Sequence, residues 1–102
     1  MILNFFFEYM NSETGEKKDE NQFKELIDEL AKEMINSKTQ DDFWDFVDDS
    51  HTSKEVMELV GEYGYDTALA TLHAEYIDYI HDLAELKLYD NGWVVSNITR
   101  KQ

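Results

Sequence analysis

Apolar and polar positions alternate at the start of the chain and then change to helical spacing. Ile2 to Met10 reads as a strand, with Leu3, Phe5, Phe7 and Tyr9 on one face and β-forming residues throughout. The run Phe5-Phe6-Phe7 implies that both faces are covered, or that one is left adhesive. Asn11 to Asp19 is polar, contains Gly15 and reads as a loop. Asp19-x-x-Gln22 is then a capping box for a first helix carrying Phe23, Leu26, Ile27, Leu30 and Met34 on one side, ended by Asn36 and Ser37. Thr39-x-x-Asp42 caps a second helix over Gln40 to Asp49. Thr52-x-x-Glu55 opens a third, with Val56, Leu59, Val60 and Tyr63 as its buried face and Gly61 and Gly64 at its end. Asp66 caps a fourth and longest helix, which turns Leu69, Leu72, Tyr76, Ile80 and Leu83 to the core. Leu86 to Tyr89, the turn Asp90-Asn91-Gly92 and Trp93 to Ile98 read as a β-hairpin, since Asn-Gly favours the tight two-residue turn.

These elements predict a single α+β domain over residues 1–102. A small antiparallel sheet, made of the N-terminal strand and the C-terminal hairpin, packs against about four helices. The first strand must find its partners near residue 90. The order of the three strands is left open by the pattern. An edge strand bearing Phe5, Phe6 and Phe7 also offers itself to a second copy of the chain, which makes a homodimer one expectation.

Charge changes the picture. The chain holds 23 acidic residues against 9 Lys and Arg, a net −14, yet 42% of it is hydrophobic, so the acidity does not signal disorder. Most of the excess lies in residues 41–90, where Lys54 and Lys87 are the only Lys or Arg residues. A localised negative field steers a protein toward a basic partner and repels phosphate, which argues against direct binding of nucleic acid. Asp41, Asp42, Asp45, Asp48 and Asp49 fall within an arc of about 120° on the second helix, opposite Phe43, Trp44, Phe46 and Val47. Glu55, Glu58 and Glu62 form an acidic set on the third helix, and Glu75, Asp78, Asp82 and Glu85 a ribbon on the fourth. Many acidic helix faces serve only solvation. These three sets share one half of the chain, where the i,i+4 lysines that ordinary helices place beside glutamates are nearly absent. They are the candidate partner-binding residues, with Trp44 and Tyr79 as aromatic anchors where exposed.

Other functions are narrowed by what is missing. Without cysteine there is no disulfide, no thiolate zinc site and no cysteine nucleophile. No apolar run approaches the ~20 residues of a membrane span, and the start lacks a basic n-region, so the expected location is cytoplasmic. His81-Asp82 matches the dipeptide of HD phosphohydrolases, with His73 upstream. On one helix the two histidines stand about 12 Å apart, too far for one ion. No phosphate loop, His-Glu-x-x-His or Gly-x-Ser-x-Gly occurs. The expectation is a non-enzymatic protein with no cofactor and no metal.

A small, acidic, cysteine-free chain of this kind resembles the anti-CRISPR proteins of low-GC phages and plasmids, which inhibit type II-A Cas9. Eight lysines to one arginine and the absence of proline fit such a coding source. Tyr76-Ile77-Asp78-Tyr79-Ile80-His81-Asp82-Leu83, followed by Tyr89-Asp90-Asn91-Gly92-Trp93-Val94-Val95, is also similar to the tail of plasmid antirestriction DNA mimics. Both resemblances imply an inhibitor that occupies a basic nucleic-acid groove. The alternative partner is a basic toxin, which an acidic immunity protein or antitoxin would neutralise. A small metal-dependent phosphohydrolase using His73, His81 and Asp82 is the enzymatic alternative.

Overall fold

Asn11 turns the first strand back on itself. Its side-chain oxygen accepts hydrogen bonds from the backbone of Glu13 (2.9 Å) and Thr14 (3.1 Å), and its own N–H reaches the Glu16 carbonyl (2.8 Å). Gly15 supplies the positive φ of 74° that the turn needs. The computed structural model describes residues 5–100. In it the turn joins β1 (Phe5–Asn11) to a short β2 (Lys17–Asp19), so the region expected to be a loop ends in a strand. The expected strand residues Ile2 and Leu3 lie outside the described residues.

Four helices follow: α1 (Glu20–Asn36), α2 (Gln40–Ser50), α3 (Ser53–Tyr63) and α4 (Tyr65–Asp90), before the last strand β3 (Trp93–Arg100). The sheet is antiparallel with order β2-β1-β3. The fold is therefore α+β, built from the N-terminal strand, the C-terminal strand and four helices. Glu8 pairs with Asn97 but Tyr9 with Val95, and the Ser96 hydroxyl donates to the Glu8 carbonyl across this bulge. β1 lies in the centre, but β2 pairs with it only from Glu8 to Met10.

The expected C-terminal hairpin does not form. Leu86 to Tyr89 continue α4 instead of forming a strand. Asn91 and Gly92 stop that helix: Asn91 N–H bonds to the Lys87 carbonyl (3.0 Å) and Gly92 N–H to that of Tyr89 (3.1 Å), with Gly92 at φ 100°. Asn-Gly serves tight hairpins and helix ends alike, because both call for a positive φ. The hairpin lies at the other end of the chain, in β1 and β2.

The chain divides into two compact units, one from residues up to Lys32 and from His81 onward, the other from Glu33 to Ile80. In the first, Phe23, Leu88 and Trp93 are buried, and Tyr9, Leu26, Ile27, Leu30 and Tyr89 pack on them. Phe23 stacks face to face on Tyr9 at 3.8 Å and meets Trp93 edge-on at 5.7 Å. The second unit is helical. It buries Phe43 and Val47 of α2 and Ala68, Leu72, Tyr76 and Ile80 of α4. Tyr63, expected on the buried face of α3, is 55% exposed, because α3 ends there and Gly64, at φ 86°, redirects the chain. Asp66 lies inside the first turn of α4 instead of capping it.

A candidate acidic interface on the helical unit

The α2 strip is built by a cap and two buried anchors. The Thr39 hydroxyl accepts from Asp42 N–H (3.2 Å), and the Asp42 carboxylate accepts from Thr39 N–H (2.8 Å), closing both ends of a capping box. The Thr39 backbone N–H, helped by its hydroxyl and by Lys38, holds the Asp42 carboxyl below its ordinary value. Phe43 and Val47 are buried, while Trp44 and Phe46 are half-buried. The opposite arc must then face water. Asp41, Asp45, Asp48 and Asp49 are exposed, and their carboxylates have no hydrogen-bond or ion-pair partner among the described residues. Asp42 differs from the other four in being half-buried and committed to the cap.

The α3 set divides in a similar way. Glu55 completes the Thr52 box, whose backbone N–H chiefly keeps that carboxyl below its ordinary value. Glu58 approaches Lys54 at 3.9 Å, both side chains well exposed, a pairing of little weight. Glu62 is exposed and has no partner among the described residues. Of the α4 ribbon, Glu75 and Asp78 belong to this unit, whereas Asp82 and Glu85 lie in the unit that holds the sheet. Glu85 is half-buried and accepts from the Tyr89 hydroxyl at 2.8 Å. Burial first, and then Glu85, push that phenol well above its ordinary value.

His51 is the residue the sequence pattern undervalued. It closes α2, its N–H bonded to the Val47 carbonyl (2.8 Å), and its ring lies between two acidic sets. Nε2 is 2.7 Å from Glu75 and Nδ1 is 3.4 Å from Glu55. A neutral imidazole carries one N–H, so carboxylates at both nitrogens favour the imidazolium. Its pKa is raised, first by the hydrogen bond to Glu75, and then by Glu55. The i,i+4 spacing of His51 and Glu55 is visible in the sequence; the approach of Glu75 is not.

The other two histidines have separate surroundings. His73 stacks on Phe43 at 4.0 Å, and His81 lies 3.2 Å from Asp28. Among the described residues, no group of three or more His, Cys, Asp or Glu side chains could hold a metal ion. No described helix is long and apolar enough to cross a membrane. No family model matches this chain, and neither a curated protein nor a solved structure matches it.

Proposed function

We propose that this protein is a non-enzymatic inhibitor of a nucleic-acid-binding nuclease, CRISPR-Cas9 foremost, and that its acidic helices occupy a basic guide-RNA or DNA groove. The observation that carries this reading is the position of Asp48 and Asp49. Both sit in the last turn of α2, where the helix field already disfavours negative charge and no Lys or Arg is present. The ring of His51, the residue that closes the helix, is engaged by Glu75 and Glu55. Asp41 and Asp45 extend the same unpartnered strip toward the N-terminus. The helix field favours Asp41 in the first turn but disfavours the C-terminal end of the strip. A strip of unpartnered carboxylates gains most from a basic surface outside the chain.

Carboxylates at i,i+3 and i,i+4 are spaced ~4.5–6 Å along a helix axis. Phosphates rise ~3.4 Å per step on one DNA strand, so the match is loose. Attraction to a channel lined with lysine and arginine does not need exact register. Cas9 holds its heteroduplex in such a channel and reads its target motif with arginines. Asp41, Asp45, Asp48 and Asp49 are the first contacts, with Glu58, Glu62 and Asp78 in support. Asp42, Glu55 and Glu75 mainly hold the unit in shape through Thr39, Thr52 and His51.

A Cas9 cleavage assay with order of addition tests the proposal. Inhibition only when the protein precedes guide RNA assigns it to the guide channel. Inhibition after loading assigns it to the target-DNA surface. Absence of inhibition in both orders removes Cas9 as the client and brings the basic-toxin partner forward.

A further inference from the structure

Between α2 and α3 lies a groove of about 220 Å³. This is below the ~300–1,000 Å³ of pockets that take drug-sized molecules, and it suits a single side chain. Its walls are apolar: Trp44, Val47, Val56 and Met57. Trp44 is held edge-on against the buried Phe43 ring at 5.0 Å, which fixes the indole as a platform. Met57, 73% exposed, lies on the α3 side. The polar lining includes Asp48, whose carboxylate has no partner among the described residues, and His51. The charge of His51 is offset by Glu55 and Glu75, so it does not cancel that of Asp48.

An apolar trough with an aromatic wall and one unpaired carboxylate matches a side chain that has an apolar stem and a cationic head. Arginine fits better than lysine, because a guanidinium stacks on an indole and presents a planar fork to a carboxylate. We propose that this groove receives an arginine of the partner protein, its methylenes against Met57 and Val56 and its guanidinium on Trp44, paired with Asp48. The inference rests on the reading of a basic partner surface and names the side chain that anchors it.

The test uses the labelled full chain alone, titrated with acetyl-Gly-Arg-Gly-amide and with the norleucine counterpart, which keeps the stem and loses the charge. The Trp44 indole and Met57 methyl resonances report the groove. Saturable shifts of both by the arginine peptide, with about three- to fivefold tighter binding than norleucine, are expected. Asp48→Asn should remove that preference, and Met57→Ala should weaken both peptides. Both positions are exposed, and an unchanged amide spectrum verifies the fold. Equal binding of the two peptides overturns the proposal in favour of an apolar anchor. Shifts confined to Asp41, Asp45 and Asp49 overturn it in favour of diffuse attraction. No nuclease is present, so failure here is distinct from failure to inhibit one.

Discussion

Two side chains show how much single residues organise here, and each carries a prediction. Asn11 is buried, with its oxygen serving two backbone N–H groups and its amide donating to the Asn91 carbonyl at 3.2 Å. Asn11→Ala strands those groups and should cost about 1–3 kcal/mol. On a chain of this size a melting experiment would register that as a drop of about 4–8 °C per kcal/mol. His51 makes a prediction about pH. Its folded pKa is raised above the ordinary 6.5, so its contribution to stability is fully present below that value. The contribution is lost as pH rises through the folded value. Wild type should therefore exceed His51→Gln in melting temperature by more at pH 5.5 than at pH 8.5. An NMR titration placing His51 at or below 6.5 would remove the basis for this.

At the scale of elements, the capping boxes were the most legible feature. Asp19 and Gln22, Thr39 and Asp42, and Thr52 and Glu55 all make the reciprocal bonds that their spacing predicts. The boundaries of α2 and α3 follow from them. The far end of α4 was not legible, for two physical reasons. Its buried residues, Ala68, Leu72, Tyr76, Ile80, Ala84 and Leu88, recur every fourth position, so the stripe winds by about 40° per step and no straight face fits it. Asn91-Gly92 then reads equally as a hairpin turn. Gly92 tests the helix-end role: an added Cβ would lie 3.2 Å from the Ser12 hydroxyl and 3.3 Å from the Asn11 side chain. Gly15 also has positive φ, but its Cβ would meet nothing within 4 Å. Gly92→Ala should cost more than about 1 kcal/mol and more than Gly15→Ala, as denaturant titration of the two variants would measure.

At the scale of the molecule, the distribution of charge matters more than its total. Residues 41–90 carry the bulk of the negative excess, and β3 contains no acidic residue at all. The acidic character of the candidate interface was legible, because helical spacing alone separates the aspartates of α2 from its aromatic side. The division of labour within it was not. Asp42 and Glu55 could be recognised as capping residues from their spacing, but the His51–Glu75 contact spans 24 residues and depends on how α4 packs in its unit. The groove at Trp44 and Met57 likewise joins residues from two helices. Binding driven by such a strip should weaken as ionic strength rises, since screening shortens the reach of exposed charges.

The most direct measurement compares wild type with a variant carrying Asp41→Asn, Asp45→Asn, Asp48→Asn and Asp49→Asn in the nuclease cleavage assay, with Asp42 kept for its cap. Relief of like-charge repulsion predicts a melting temperature equal to or above that of wild type. Inhibition should fall at least about tenfold, as expected when several steering and contact charges are removed together. A folded variant that inhibits as well as wild type would contradict the account.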